Sequence, residues 1–371
     1  MSKKRQISMF QPFVAEAAIG RVTDVLRSRW IGQGPLVDEF EKALEHRLKF
    51  TNAVAVNAAS SALRIALSIA AVKPGDEVIT TAMTCTLTNH PILEQFAVPV
   101  FADIQYETGN IDPSDIERRI TSRTRAILCA HWGGMPCDLD EITDIGRRHA
   151  LPVIEDASEA IGATYRGQPV GNISRFTAFS FQAIQILTTG EGGLLTTTSA
   201  EDAERARVQR WYGIDRKGRT ANAIGYYDFD IAGMGFGYHL TNIAAAIGLG
   251  NLEHLNEALE RRRAIAAAYQ RELADTPGVV LLKSAPDREP SSHWVTIHVE
   301  RRADFCRKLR ERGVETSIVH ARNDLYTAFG GRRDDLPNLD RFDRTYIALP
   351  CHLSIDEEDV SHITKTIREG W

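Results

Sequence analysis

Between residues 53 and 200 the chain alternates short apolar runs with stretches of helical periodicity. The runs at 53–56, 77–80, 98–103, 126–131, 153–155, 177–181 and 194–198 have strand length. Stretches such as 60–71 and 139–149 carry apolar residues at three- and four-residue spacing and predict helices between the strands. Apolar strands separated by helices predict a largely parallel sheet covered on both faces. The last two runs are joined by a link with no crossover helix, which predicts one antiparallel strand. Residues 241–273 predict one long helix or a broken pair, rich in Ala, Leu, Glu and Arg. This element would leave a large domain, residues 1–250, and enter a smaller α/β domain, residues 251–371. The stretch 286–292, with its Pro, Ser and charged residues, predicts a loop there.

Composition changes this picture little. The 371 residues are 43% hydrophobic and 25% charged, enough for a large core. The formal charge of -5 is spread along the chain, and no basic run points to nucleic acid or to a membrane surface. Lys3, Lys4 and Arg5 are not followed by an apolar stretch of signal-peptide length, and no segment reaches transmembrane length. Cys85, Cys129, Cys137, Cys306 and Cys351 show no C-x-x-C spacing, which suits free thiols and a cytoplasmic setting. No repeat or low-complexity stretch appears.

Several segments carry candidate chemistry. Asp156, in Val153-Ile154-Glu155-Asp156, stands where a parallel strand delivers a side chain into a ligand crevice; an Asp capping the next turn is the other reading. Asn57-Ala58-Ala59-Ser60-Ser61 joins a strand to a helix, where free backbone N–H groups suit an anion and Ser60 and Ser61 add hydroxyls. The segment Phe179-Ser180-Phe181-Gln182-Ala183-Ile184-Gln185 runs on into Thr188-Thr189-Gly190-Glu191-Gly192-Gly193.

These motifs, in this order, resemble the DegT/StrS family of pyridoxal-phosphate aminotransferases that act on sugar nucleotides. The resemblance covers nearly the whole chain. It implies an aspartate-aminotransferase-like fold with a mainly parallel seven-stranded sheet, a homodimer with sites at the subunit boundary, and glutamate as amino donor to a keto-sugar nucleotide. It assigns Asp156 to the pyridine nitrogen, where a carboxylate keeps the ring protonated as an electron sink. It assigns Ala59, Ser60 and Ser180 to the phosphate and Glu159 to the neighbourhood of the ring.

This sequence departs from the family pattern at several of these positions. The family's Schiff-base lysine aligns with Gln185, whose amide is neither a nucleophile nor a base near neutral pH. Cys85 stands where many members place a ring-stacking aromatic, and Trp132 could supply that face instead. Gly237 replaces an Asn that reaches the neighbouring subunit's phosphate, and His239 replaces a common Arg. Ala59 stands where Gly is usual. Trp30-Ile31-Gly32-Gln33-Gly34-Pro35 resembles the family's substrate-side segment. His320, Arg322 and Asn323 are candidate contacts for an anionic substrate, or plain solvated polar residues. The nearest lysine to position 185 is Lys217.

Three accounts of Gln185 stay open at this point. In the first, the parent protein has lysine and a Lys→Gln change traps a cofactor–substrate adduct. In the second, the chain runs altered pyridoxal chemistry, like the family's sugar dehydratase branch. In the third, it is a non-catalytic paralogue that binds a sugar nucleotide or supports an active partner. In each, pyridoxal 5'-phosphate, its amine form or an external aldimine would be held without a covalent bond to the protein.

Overall fold

The computed structural model describes residues 6–216 and 218–371. Seven strands form the main sheet: β1 (Ala53–Val56), β2 (Glu77–Thr81), β3 (Val98–Ala102), β4 (Thr124–Ala130), β5 (Val153–Asp156), β6 (Phe176–Ser180) and β7 (Gly193–Thr197). Their order is β1-β7-β6-β5-β4-β2-β3, and only β7 runs against the others. Alternate residues of the strands enter different cores, as a pleat requires. Val54, Val78, Leu128, Ile154, Ala178 and Leu195 pack under helices α3 (Ala59–Ile69), α4 (Thr86–Glu94) and α7 (Ala200–Gln209). On the opposite face Ala53, Phe179 and Leu194 meet α2 (Pro35–Leu48) and α8 (Asn242–Leu252). Ile79, Ile127 and Cys129 meet α5 (Pro113–Arg118) and α6 (Leu139–Arg148). Helix α1 (Glu16–Ser28) lies against α8.

The predicted element at 241–273 is the broken pair. Helix α8 ends at Leu252, and α9 (Leu255–Leu273) follows after two residues. The apolar side of α9 covers an antiparallel sheet of β8 (Val279–Leu281), β9 (Val295–Val299) and β10 (Tyr346–Leu349). Helices α10 (Arg302–Glu311) and α12 (Glu357–Arg368) complete that core, while α11 (Pro337–Thr345) lies on the opposite side with Phe342. Residues 286–292 are less irregular than expected, because Arg288–Glu289 pairs with Thr164–Tyr165 of the larger layer. A second contact fixes the two sheets together: Tyr346 and Ala348 of β10 share a buried cluster with Met83, Phe101 and Trp132. Among the described residues no helix is long and apolar enough to cross a membrane.

Candidate active site

Strands β1, β2, β4, β5 and β6 point the same way, so their C-terminal ends share one edge. Residues Asn57–Ser61, Cys85, Trp132, Asp156–Glu159 and Ser180–Gln185 follow those ends, which is where open α/β sheets bind ligands. A cleft at this edge is lined by Thr84, Cys85, Thr88, Trp132, Asp156 and Glu159, among others, and among the described residues no Lys or Arg lines it.

Asp156 is 7% exposed and fully engaged on its protein side. Its Oδ2 accepts from Thr88 Oγ1 at 2.6 Å, and Oδ1 accepts from Ser158 N–H at 3.0 Å and Ser158 Oγ at 2.5 Å. Thr88 in turn shares a 2.8 Å bond with Thr84. These donors hold the carboxylate in one orientation at the end of β5. Glu159 Oε2 accepts from Gly133 N–H at 2.7 Å, and Oε1 pairs with His320 Nε2 at 3.0 Å. Burial pushes the Glu159 carboxyl above its ordinary value, and His320 acts in the opposite direction. Cys85 precedes α4 as its N-cap residue, and burial raises its thiol as well, so it is a poor nucleophile there.

The turn after β1 opens α3 with Ala58 as N-cap and no side-chain cap. The earliest backbone bond of the helix runs from Ala62 N–H to Ala58 O, at 3.2 Å, and leaves the first-turn donors free of intrahelical partners. Ser61 Oγ donates to Asn57 Oδ1 at 2.7 Å and steadies the turn. Gly193 brings the other half of the cradle close. It pairs with Val56 on one side and Ser180 on the other, and a Cβ on it would lie 2.4 Å from the carbonyl carbon of Ala58. Ser180 and the α3 N-terminus are thereby neighbours across one strand.

The connection between β6 and β7 is tied by its own backbone. Ser180 Oγ accepts from Gln182 N–H (3.3 Å), Gln182 Oε1 from Ile184 N–H (3.0 Å), and Gln182 O from Gln185 N–H (2.9 Å). Thr189 N–H returns to Phe181 O at 2.9 Å, and Asn251 Nδ2 holds Thr188 O from α8 at the same distance. Ile186 and Leu187 anchor the loop in the core beside Phe40. None of these bonds uses the side chain of Gln185. Its Oε1 is buried and has no hydrogen-bond partner among the described residues.

The other expected residues divide. Trp132 lines the cleft and is also buried, with Nε1 donating to Thr296 Oγ1 at 3.0 Å and its ring edge-on to Trp294 and Tyr346. His320 comes to the cleft through Glu159. Arg322 does not: it is 0% exposed, and its guanidinium is spent on Asp324, through two bonds of 2.6 Å, and on Asp340. Asn323 is likewise buried, donating to Thr84 O at 2.7 Å and accepting from Asn89. His239 lies away from Asp156, against Trp211 with ring centres 4.0 Å apart; burial lowers its pKa, and Arg210 and Arg216 add to that. At Gly237 a Cβ would meet the hydroxyl of the half-exposed Tyr212 at 2.7 Å, and that side chain would have to shift to admit the missing Asn. Trp30, Gln33, Gly34 and Pro35 border a larger open groove with Arg207, Arg210 and Arg216, and that groove shares no residue with the Asp156 cleft. Lys217 lies outside the described residues.

Three contributors escape sequence inspection. Thr88 orients Asp156 from one turn into α4. His131 lines the cleft, accepts Cys137 N–H on Nδ1 at 3.1 Å and meets Glu155 Oε2 through Nε2 at 2.8 Å. With Nδ1 accepting, the proton sits on Nε2. A His and a Glu at the ends of two apolar strands were the available signal for His131 and Glu155. Gly193, the third, is visible only through its close approach to Ala58.

One edge of the sheet thus carries an oriented carboxylate, a helix N-terminus suited to phosphate and, on a fixed loop, Gln185 with its Oε1 buried. The sequence matches the DegT/DnrJ/EryC1/StrS aminotransferase family over residues 12–368. The chain belongs to that family. It is 38% identical to the GDP-perosamine synthase of Caulobacter vibrioides, over 98% of each chain. The crystal structure of AtS13 from Actinomadura melliaura superposes with a TM-score of 0.94 at 39% identity, covering 100% of both chains. A putative sugar aminotransferase of Streptococcus pneumoniae, Spr1654, solved in PLP- and PMP-forms, gives a TM-score of 0.91 at 29% identity; the PLP-form match covers 98% of both chains. The PLP-dependent sugar aminotransferase fold is therefore established, with the seven-stranded sheet expected of it.

The residues present fit a pyridoxal phosphate in part. The uncapped α3 N-terminus and the oriented Asp156 suit its phosphate and its ring nitrogen. At Gln185, which the motif resemblance aligns with the family's lysine, stands an orphaned amide oxygen.

Proposed function

We propose that this chain is a sugar-nucleotide aminotransferase scaffold that holds pyridoxal phosphate without a covalent bond and does not turn over as it stands. The cofactor, when bound, supplies an electron sink for a carbanion next to nitrogen. The chain's own residues do the rest. Asp156, fixed by Thr88 and Ser158, keeps the ring nitrogen protonated. Ser60, Ser180 and the first N–H groups of α3, Ala59 included, hold the phosphate. Glu159 and His320 close the cleft beside the Trp132 face, and Cys85 lies in its wall. The substrate class is a keto-sugar nucleotide and the donor is glutamate, as the resemblance of the motifs implies. Cytoplasmic residence follows from the same reading.

The observation that carries this reading is Gln185 itself. Its loop is tied in place by hydrogen bonds and core packing independent of its side chain, yet that side chain offers no amine to move a proton. A homodimer belongs to the proposal. Ile224, Tyr226, Phe229, Ile231 and Met234 are all exposed on one segment, with Ile224 88% exposed, as a subunit contact would require. Light scattering that returned a monomer would remove this part.

The test is a Gln185→Lys variant given pyridoxal phosphate, glutamate and a keto-sugar nucleotide. Release of 2-oxoglutarate with amination of the sugar is expected from the variant and not from the unsubstituted chain. A variant that binds cofactor covalently yet transfers nothing would favour a second reading, a non-catalytic sugar-nucleotide-binding paralogue. Gly237, which has no side chain where the family's Asn would reach the phosphate, is what supports that second reading.

A further inference from the structure

We infer that the open groove bordered by Trp30, Arg216 and Arg219 binds a nucleoside diphosphate. The groove has a volume of about 680 Å³, the size of a small-molecule site. It shares no residue with the Asp156 cleft, so the inference does not depend on what that cleft holds.

Three observations carry it. The first is local positive charge. The lining balances five cations with five carboxylates in formal charge, but the balance is uneven. Glu41 is paired with Arg210 and Glu204 with Arg207, while Glu45 accepts from Ala53 N–H at 2.9 Å. Among the described residues neither Arg216 nor Arg219 is in an ion pair; their recorded contacts are with aromatic rings. Burial pulls the Arg216 pKa down, and the charges of Arg219 and Arg210 act in the same direction against Asp38. An anion placed between two such guanidinium groups relieves their repulsion, and their forked N–H donors match phosphate oxygens.

The second observation is that these cations are held ready. The Arg216 guanidinium lies 4.6 Å from the ring centre of Trp211, and that of Arg219 lies 4.6 Å from the ring centre of Tyr227. Both residues are half-buried, so their side chains keep an open side. Less side-chain freedom is then lost when a ligand arrives. The third is a fixed aromatic surface in the same groove. Trp30 Nε1–H donates to Gln33 O at 3.1 Å, and Asn242 Nδ2 holds Trp30 O at 2.9 Å. A Cβ on Gly34 would lie 2.7 Å from Trp30 Nε1, so the indole rests directly on that glycine. The side chain is pinned and yet 56% exposed, which suits it to stack on a flat ring. Two adjacent cations ask for two anionic groups, and the indole asks for a planar ring. A nucleoside diphosphate carries both in one molecule, with a ribose between them for the polar wall at Gln33 and Lys42.

Isothermal titration of the full-length protein with guanosine diphosphate, uridine diphosphate and inorganic pyrophosphate tests this. The diphosphates are expected to bind, and more weakly as salt rises. Arg216→Gln should weaken both the nucleotides and pyrophosphate at least tenfold, and Arg216→Lys, which keeps the charge, should weaken them less. Trp30→Leu should weaken the nucleotides about tenfold, the value of one lost stacking contact, and leave pyrophosphate unchanged. Urea unfolding of each variant checks that the fold is retained. Absence of nucleotide binding overturns the inference, as does an unchanged affinity in Arg216→Gln or an equal loss of pyrophosphate in Trp30→Leu. A nucleotide sugar that binds more tightly than its diphosphate would identify a substrate as the source of the group, and equal affinities would identify the free nucleotide; both support the site. Pyridoxal phosphate titrated into the same samples keeps the two readings apart. Cofactor binding without nucleotide binding overturns this inference alone, and nucleotide binding without cofactor binding overturns only the cofactor reading of the Asp156 cleft.

Discussion

Gly193→Ala tests whether the α3 N-terminus and Ser180 form one phosphate cradle. An alanine Cβ at 193 would stand 2.4 Å from the carbonyl carbon of Ala58, 2.6 Å from its oxygen and 2.6 Å from Ala59 N. Non-bonded carbons settle at about 3.5–4.0 Å, so the contact is short by about 1 Å. All three opposing atoms are backbone, and no rotamer relieves the clash. Gly193 cannot withdraw, because it is paired with Val56 and with Ser180 on its two sides. The turn at Ala58–Ala59 must then move away from Ser180 by about the same 1 Å. Overpacking of this kind costs about 1–3 kcal/mol of stability. A hydrogen bond stretched from about 2.9 Å by 1 Å is no longer one, and losing one bond to a charged group costs about 1.5–3 kcal/mol. Affinity for pyridoxal phosphate should therefore fall about 10- to 100-fold, measured by titration at a temperature where the variant remains folded. Gly20→Ala is the control: a Cβ there meets nothing within 4 Å, and in the exposed face of α1 it should leave binding unchanged and add about 0.5–1 kcal/mol of stability. Unaltered affinity in Gly193→Ala would refute the cradle, since it would mean that the α3 turn can move without the phosphate noticing.

Two further outcomes follow from buried charges away from the cleft. Arg322→Met should destabilise the fold by about 3–5 kcal/mol, because Asp324, 0% exposed, would lose the guanidinium that satisfies it; urea unfolding measures this, and a loss below about 1 kcal/mol would show that the pair is not structural. The imidazole of His298 is pushed down to about 4 by burial, with the charge of Arg341 acting in the same direction. An unfolded histidine titrates near about 6.5, so below that pH the unfolded chain takes up a proton that the folded one refuses. Stability is then intact above pH about 6.5 and falls as the pH drops towards about 4, by about 1–2 kcal/mol at pH 5. His298→Phe, which keeps a ring against Tyr106, should flatten the decline between these values; identical slopes for the two proteins would show that His298 does not carry it.

The strands were legible because each is an apolar run ended by a turn, and their observed limits lie within about two residues of the pattern. The antiparallel β7 was legible too, since the connection from Ser180 to Gly193 holds no helix to carry a parallel crossover. The strand order was not, because β1 finds its place beside β7, which lies more than a hundred residues further along the chain. Within the site, Gln185 and Asp156 could be read from local segments. The bond from Thr88 to Asp156 and the pair of Glu159 with His320 join distant stretches, and no local pattern encodes them. Arg322 shows the converse. It stands among polar residues that suggested a solvated cluster, yet Asp324, two positions on, is its buried partner.

The placement of Gln185 separates two properties that a lysine would combine. Folding of the connection depends on Ser180, Gln182, Thr188, Thr189 and Asn251, which bond to backbone, and on Ile186 and Leu187, which enter the core. The residue at 185 contributes its backbone N–H to that framework, and none of these bonds uses its side chain. Substitution there is consequently free to alter chemistry without altering the loop. The phosphate cradle and Asp156 are likewise built from elements that make no contact through the Gln185 amide. A site of this construction would hold its ligand by phosphate and ring alone, and the group at 185 would then decide whether a covalent bond forms and whether a proton can move. Lysine at 185 would bring an amine able to capture the aldehyde and move a proton; glutamine brings neither a nucleophile nor a base.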